Sequence, residues 1–341
     1  MNHFNLSWKV YLQKFPKITA NQQIIGRVIS EHKTDWDIIT EQSLSSQKAW
    51  LPTTSRLQND PDQLPKVGDF VLLDHSPENS QLTITRVLPR FSVLSRLKQD
   101  SEQILATNIN TIFIIVAYDQ PLNLQQLKRY IAMALEGNSQ PIIVLNKKDI
   151  AQSTDTHKSE IQTALPQTPV IEISAKTQLG LESLQTYLEP GTTVVLVGLS
   201  GSGKSTLVNA LLDQKTQSTQ SVNKEGLGKH TTTRREMFFL SNGSCLIDSP
   251  GIRTLEQQIS NQTTAKMFEQ IAQLTENCKF RNCDHSKSEG CAVLQALQNQ
   301  EISEQEYQDY LLFLNPPNNL SQKKLVQSAR RTKRKIKPKQ N

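Results

Sequence analysis

Hydrophobic and polar residues alternate over short stretches in the first quarter of the chain. The alternating runs cover residues 24–29, 36–39, 68–73 and 82–88, and residues typical of turns separate them. Successive side chains of a strand point to opposite faces of a sheet, so this pattern predicts four or five short β-strands. Strands of this number and length favour a small OB-type β-barrel, although an SH3-like barrel would show the same alternation.

The pattern changes after about residue 96, where apolar runs alternate with amphipathic stretches. This rhythm is typical of βαβ units and predicts a mostly parallel sheet covered by helices. The predicted strands are 111–117, 141–145, 170–173 and 193–197, and the predicted helices are 122–135, 181–188 and 204–212. We therefore predict three domains: an N-terminal segment and barrel at 1–95, an α/β domain at 96–263, and a helical domain with a basic tail at 264–341.

Charge and composition indicate a class of binding partner and a cellular compartment. The 341 residues carry a formal net charge of +6, and the lysines and arginines crowd between Lys323 and Lys339, with no acidic residue after Asp309. Such a tail suits contact with a polyanion, although a solvated tail that aids solubility would explain the charge equally well. No apolar run approaches membrane-spanning length and the first residues lack a signal pattern, so we expect a cytoplasmic protein.

A loop that binds phosphate is predicted between the strand 193–197 and the helix 204–212. Its sequence fits G-x-x-x-x-G-K-[ST], in which glycines let backbone N–H groups turn toward phosphate oxygens at the start of a helix. In this pattern Lys204 contacts the β- and γ-phosphates and the Ser205 hydroxyl binds Mg²⁺. The residues of the loop are Gly198, Leu199, Ser200, Gly201, Ser202, Gly203, Lys204, Ser205 and Thr206.

Two further segments follow predicted strands and suit the recognition of guanine. The Asp149 carboxylate can accept hydrogen bonds from N1–H and the 2-amino group of guanine, a pair of donors that adenine lacks. A backbone N–H of the second segment can contact guanine O6. The first segment alone would be an ordinary polar turn, and the phosphate-binding loop makes the guanine interpretation the better one. The segments are Asn146, Lys147, Lys148 and Asp149, and Ser174, Ala175 and Lys176.

Asp248 and Gly251 belong to a D-x-x-G sequence that follows the apolar residues 245–247. In such a sequence the carboxylate holds Mg²⁺ through water and the glycine N–H senses the γ-phosphate. The polar segment 226–234 suits a switch loop whose threonine reaches the metal, and an edge strand would also explain its threonines.

The order of the motifs is inverted relative to an ordinary small GTPase, because Asn146 precedes Lys204. The sequence therefore predicts a circularly permuted GTPase. Asp149 and the lack of a separate substrate domain argue against a P-loop ATPase or a metabolite kinase. An RNA-binding zinc protein that uses nucleotide only as a ligand remains an alternative.

Three thiols and one imidazole lie within fourteen residues and form a complete tetrahedral set for Zn²⁺. Since all four ligands come from protein, the predicted site is structural. The spacing is uncommon among zinc fingers, so buried free cysteines with a surface histidine remain an alternative. The four residues are Cys278, Cys283, His285 and Cys291, whereas Cys245 is interpreted as a core residue.

These features together resemble the bacterial small ribosomal subunit biogenesis GTPases, the ribosome-small-subunit-dependent GTPase A family. The resemblance extends from about Gln22 to about Leu314. It implies a GTPase that binds the 30S subunit and its 16S rRNA, assists late maturation of that subunit and is stimulated by it. It also implies one structural zinc ion, Mg²⁺ with GTP, and Thr232 as the switch residue that senses Mg²⁺ and the γ-phosphate. We expect a monomer.

Ile252 stands where many GTPases carry a glutamine that orients the attacking water. A branched alkyl side chain cannot do this by hydrogen bonding, so another group is required. His230, beside the switch threonines, is the candidate for that role, and a surface histidine in a loop is the alternative.

Overall fold

The computed structural model describes residues 3–18, 23–43, 45–52, 63–75, 81–98, 101–152, 154, 156–213, 236–248 and 259–314. The chain divides into two compact units, Met1–Gln258 and Ile259–Asn341, and the division into three domains stays a prediction. His230, Thr232, Gly251, Ile252 and the basic tail lie outside the described residues. Within the described part of the chain, no helix is both long and apolar enough to cross a membrane.

The first unit contains a closed barrel of five strands. These are β1 (Ile24–Glu31), β2 (Asp35–Thr40), β3 (Gln47–Trp50), β4 (Phe70–His75) and β5 (Leu82–Val87). They pair in the order β1–β2–β3–β5–β4, and β4 pairs back onto β1, which closes the barrel. β3 and β5 run parallel, whereas the other pairs are antiparallel. The alternating pattern therefore predicted the barrel correctly, with inward residues such as Val28, Ile38 and Ile84 fully buried.

Helix α1 (His3–Lys14) was not expected from the sequence, and it packs on the barrel. Phe4, Trp8 and Tyr11 recur every three or four residues, so they share one helix face. All three rings contact Phe70 of β4, with ring centroids between 4.5 and 6.2 Å apart. The Tyr11 hydroxyl also donates to the Pro89 carbonyl at 2.7 Å. An aromatic stripe of only three residues was too short a pattern to separate from chance.

A two-stranded hairpin, β6 (Val93–Lys98) and β7 (Ser101–Thr107), follows the barrel. These strands were not predicted, because polar residues such as Glu102 and Gln103 interrupt the apolar pattern. The boundary expected between residues 95 and 96 falls within β6.

A mostly parallel sheet completes the first unit. Its strands are β8 (Thr111–Ala117), β9 (Gln140–Asn146), β10 (Val170–Glu172), β11 (Thr193–Gly198), β12 (Glu236–Phe239) and β13 (Cys245–Asp248). The order is β10–β9–β8–β11–β13–β12, and all neighbours are parallel except β12 and β13. The helices are α2 (Leu124–Glu136), α3 (His157–Ala164) and α4 (Lys204–Asp213). Residues predicted as a helix at 181–188 form the 3₁₀-helix Leu181–Tyr187 instead, after Gly180 in the left-handed conformation.

The barrel and the parallel sheet are joined edge to edge. β1 pairs with β12 through Ser30 and Glu236, so one sheet of eleven strands runs through the first unit. Beside this junction Arg27 of β1 is 1% exposed, and its Nη2 donates to Thr193 Oγ1 at 2.5 Å. Its Nη1 lies 3.4 Å from Cys245 Sγ, so Arg27 contacts the first residue of both β11 and β13. Burial lowers the pKa of Arg27.

The second unit is helical. Its helices are α5 (Asn261–Met267), α6 (Glu269–Thr275), α7 (Ala292–Gln298) and α8 (Glu304–Leu314). Phe268, Ile271, Val293 and Tyr310 are buried at its core, beside the predicted metal ligands.

Asp69, directly before β4, connects the barrel to the hairpin. It is fully buried, and Arg90 donates to both of its oxygens, from Nε at 2.8 Å and from Nη2 at 2.7 Å. Thr107 of β7 donates through Oγ1 at 2.6 Å, and the Lys66 backbone N–H donates at 2.8 Å. Gly68 has a φ of +100°, and a Cβ there would lie 2.1 Å from the Thr107 carbonyl oxygen. The close approach that brings Thr107 to Asp69 therefore requires glycine at 68.

We predict that Asp69→Ala lowers the free energy of unfolding of the barrel by about 3–5 kcal/mol, because it leaves the shielded Arg90 guanidinium without its carboxylate. All three tryptophans, at positions 8, 36 and 50, lie in α1 and the barrel. Tryptophan emission during a urea titration therefore follows this region of the protein.

The matched control is Asp74→Ala, which removes an exposed carboxylate from β4 itself. It should change the free energy of unfolding by less than about 0.5 kcal/mol. Equal urea midpoints for the two variants would contradict the role given to Asp69.

Candidate functional site

The predicted nucleotide-binding residues meet at one edge of the parallel sheet. β9 ends at Asn146, β11 ends at Gly198 and β13 ends at Asp248, while Ser174 follows β10. Ligands of open α/β sheets bind at the carboxyl ends of the strands. Segments that are far apart along the chain therefore form one candidate site.

Asn146 joins three loops through its side chain. Its Nδ2 donates to the Ser202 carbonyl in the predicted phosphate loop at 2.9 Å. Its Oδ1 accepts from the Ala175 backbone N–H, also at 2.9 Å. The side chain is almost fully buried, so these bonds replace water completely. Asn146 thereby fixes the phosphate loop relative to both segments that are suited to guanine.

The phosphate loop has the backbone that its glycines predict. Gly198, Gly201 and Gly203 all have positive φ, at 143°, 80° and 93°. At Gly203 a Cβ would lie 2.3 Å from Asn146 Nδ2, so a larger residue would push that amide away. Ser202 Oγ donates to the Leu199 carbonyl at 2.9 Å, which closes the loop just before α4 begins at Lys204. Ser200, Ser205 and Thr206 are exposed.

Asp149 lies in the short 3₁₀-helix Lys148–Ile150 and is exposed. Its Oδ1 accepts from Ser174 Oγ at 2.6 Å, and Ser174 Oγ in turn accepts from the Thr177 N–H at 3.1 Å. The bond from Ser174 orients the Asp149 carboxylate through Oδ1. It does not involve Oδ2. The exposed residues Lys148 and Lys176 flank the same site.

Asp248 and Lys204 lie near each other at the phosphate end of the site. Burial raises the pKa of the Asp248 carboxyl group, and the Lys204 ammonium opposes this shift. Lys204 Nζ donates to the carbonyls of Gly198 and Leu199 at 2.8 and 2.7 Å. A carboxylate whose charge is disfavoured by burial has chemistry that fits a nearby Mg²⁺. His230, Thr232 and Gly251, which were predicted to act here, lie outside the described residues.

The loop after β8 was not among the predicted site segments. Asp119 binds Lys147, and Gln120 binds the Ser200 carbonyl. The available signal was a pair of polar residues that begins two positions after the end of a strongly apolar strand, where ligands of open α/β sheets bind.

The structure also brings Cys278, Cys283, His285 and Cys291 together in the second unit. Their ligand atoms all lie within 4.8 Å of one another. His285 Nδ1 lies 3.6 Å from both Cys278 Sγ and Cys291 Sγ. Burial raises the pKa of the Cys291 thiol to about 11, and a bound cation would favour its thiolate form. Three sulfur ligands and one nitrogen ligand fit a four-coordinate metal such as zinc.

Two family models match the chain. The model described as RsgA GTPase matches residues 87–258, which include the hairpin, the parallel sheet and the nucleotide-binding motifs. The model described as 50S ribosome-binding GTPase matches residues 193–331, beginning at the strand before the phosphate loop.

The similarity of this chain to relatives and to solved structures covers most of its length. The small ribosomal subunit biogenesis GTPase RsgA of Methanosarcina acetivorans is 40% identical over 291 residues, which are 84% of this chain and 78% of that protein. YjeQ from Thermotoga maritima matches with a TM-score of 0.63 and 26% identity, over 86% of this chain and 99% of that one. YloQ, described as a circularly permuted GTPase, matches with a TM-score of 0.59 and 21% identity, over 86% and 94% of the two chains. The permuted P-loop GTPase fold is confirmed.

We predict that the purified protein carries about one zinc ion per chain and that Cys283→Ser removes it, because a structural site needs all four ligands. Loss of the metal should unfold the helices of the second unit, which pack beside the cluster. Elemental analysis and circular dichroism measure the two effects.

Cys245→Ala is the control, since this buried thiol lies outside the cluster. It should retain the zinc ion. Native protein with less than about half an equivalent of zinc would count against the site.

Proposed function

The chain belongs to the RsgA GTPase family, and we propose that it hydrolyses GTP on the small ribosomal subunit and so assists late maturation of that subunit. Family membership rests on the match at residues 87–258 and on the relative with 40% identity. It makes the chain a GTP-hydrolysing enzyme. Binding to the small subunit and stimulation of the enzyme by that subunit are part of the proposal.

The contacts of Asn146 carry the proposal for guanine nucleotides. This side chain connects the phosphate loop to Ala175, and Ser174 next to it orients Asp149. These bonds would hold the groups that bind base and phosphate at a fixed separation, as a nucleotide requires. We propose that Asp149 accepts from guanine N1–H and the 2-amino group, that the backbone around Ala175 contacts O6, and that Asn146, Lys147, Lys148, Ser174 and Lys176 complete the base site.

The phosphate side of the proposal follows from the start of α4. Residues 198–206 would surround the phosphates with backbone N–H groups, and Lys204 would neutralise the β- and γ-phosphates. Ser205 and Thr232 would bind Mg²⁺, which supplies positive charge where the transferred phosphoryl group develops negative charge. Asp248 would hold the ion through water, and Gly251 would sense the γ-phosphate.

RNA is the polyanion that suits the remaining features. OB-type barrels bind nucleic acids along one strand face, and the basic residues between Lys323 and Lys339 suit phosphate contacts. We propose that both contact the 16S rRNA of the small subunit, and that the protein acts as a monomer in the cytoplasm.

The large ribosomal subunit is the second candidate partner. One matched family model is described as a 50S ribosome-binding GTPase, whereas the relative from Methanosarcina acetivorans is named for the small subunit. We favour the small subunit because that relative matches 84% of the chain, while the 50S description matches only residues 193–331.

We predict that Asp149→Asn weakens GTP binding by about two orders of magnitude, because an amide donor then faces the guanine donors. The same change should improve binding of xanthosine triphosphate, whose 2-oxo group accepts from the new amide. Titration calorimetry with both nucleotides measures the exchange of preference.

Glu189→Ala is the matched control, because Glu189 is an exposed acid before the amino end of β11, at the opposite edge from the phosphate loop. It should bind GTP as the native protein does. Equal affinity of the native protein for ATP and GTP would refute guanine recognition.

We predict that GTP turnover is slow in the isolated protein and rises by about tenfold or more on 30S subunits, because Ile252 cannot orient water and the ribosome must complete the site. Phosphate release is measured without subunits, with 30S subunits and with 50S subunits. Stimulation by 50S alone would replace the small subunit with the large one, and no stimulation by either would refute the proposal.

His230→Ala tests the candidate for the water-positioning group in the same assay. If His230 orients the attacking water, the variant should lose most of the stimulated turnover while it still binds GTP and the subunit. Full stimulated turnover in this variant would exclude His230 from that role.

A further inference from the structure

The loop after β8 lies between the two halves of the nucleotide site. β8 pairs with β9 on one side and with β11 on the other. Its carboxyl end therefore emerges between the segment suited to guanine, which follows β9, and the phosphate loop, which follows β11. Asp119 and Gln120 occupy this position, and neither belongs to a nucleotide-binding motif.

Asp119 binds the lysine of the guanine segment. Lys147 Nζ lies 2.9 Å from Asp119 Oδ1 and 2.7 Å from Oδ2. Lys147 has a φ of 66°, in the left-handed region that lysine rarely adopts, so the turn directs its side chain toward this carboxylate. The two side chains are 28% and 41% exposed, and an ion pair this exposed adds little to stability. Its effect is to hold a long side chain in one orientation.

Gln120 binds the phosphate loop from the neighbouring position. Its Nε2 donates to the Ser200 carbonyl at 2.9 Å. The Gln120 backbone is itself fixed, because its N–H donates to Ala117 and its carbonyl accepts from His157 Nε2 at 3.0 Å. A carbonyl can only accept, so His157 carries its proton on Nε2. The loop is therefore held by α3 as well as by β8.

We propose that Asp119 and Gln120 are positioning residues of the guanine-nucleotide site. Asp119 orients the Lys147 side chain for contact with the base, and Gln120 fixes the Ser200 part of the phosphate loop. This inference rests on the proposed function. Such preorganisation lowers the cost of binding for every guanine nucleotide alike, so its loss raises KM for GTP and leaves kcat unchanged.

The test is a double-mutant cycle between Asp119→Ala and Lys147→Ala in the full chain, with GDP affinity measured by calorimetry. Asp119→Ala should weaken GDP binding by about two- to tenfold. Because Asp119 acts through Lys147, the double variant should bind GDP no more weakly than Lys147→Ala alone. Asp119→Glu, which keeps the charge, should recover part of the loss.

A second double-mutant cycle, between Gln120→Ala and Lys147→Ala, supplies the comparison. Since Gln120 acts on the phosphate loop, its loss should add to that of Lys147→Ala. Glu189→Ala should leave GDP affinity unchanged, and a native melting temperature for each variant checks the fold.

Several outcomes would overturn the inference. One is additive losses for Asp119→Ala and Lys147→Ala, and another is native GDP affinity in Asp119→Ala. A lowered kcat at unchanged KM would overturn it as well. Native protein that binds no guanine nucleotide would overturn the proposed function together with this inference, whereas the other outcomes leave the proposed function intact.

Discussion

The geometry of the site depends on the buried amide of Asn146. This group satisfies a carbonyl of the phosphate loop and an N–H of the segment after β10, at 2.9 Å in both cases. Because the side chain is shielded from water, losing either bond would leave a buried polar group unsatisfied. The amide can approach the loop only because Gly203 has no Cβ. One side chain therefore sets the distance between the groups that would bind base and phosphate.

The same sheet connects this site to the barrel. β12 pairs with β1 on one edge and with β13, which ends at Asp248, on the other. Arg27 of the barrel contacts the first residues of β11 and β13, the two strands that lead to the phosphate loop and to Asp248. Moving the barrel away would break the hydrogen bond to Thr193 and the contact with Cys245, and would expose the guanidinium to water. The barrel therefore contacts both strands that lead to the candidate site.

The ion pairs Asp69–Arg90 and Asp119–Lys147 differ in exposure and therefore in their effect on stability. Asp69 is fully buried, the Arg90 side chain is 13% exposed, and their geometry is bidentate, so that pair contributes to the stability of the barrel. The Asp119–Lys147 pair is partly exposed, so water screens it and its contribution to stability is small. Its place between two loops of the candidate site supports the proposed role in orienting Lys147 instead.

Local sequence patterns predicted the barrel, the parallel sheet, the permuted order of the motifs and the cluster of three cysteines and one histidine. Each of these depends on neighbours along the chain: alternation within a strand, glycines within a loop, or cysteines within one segment. Long-range packing sets the position of α1, the hairpin of β6 and β7, and the contacts of Arg27 and Asp69. Asp119 was missed for the same reason, since Lys147 is its neighbour only after β8 and β9 pair in parallel. Local patterns specify which element forms, whereas the partner of a polar side chain is fixed only when packing brings distant strands together.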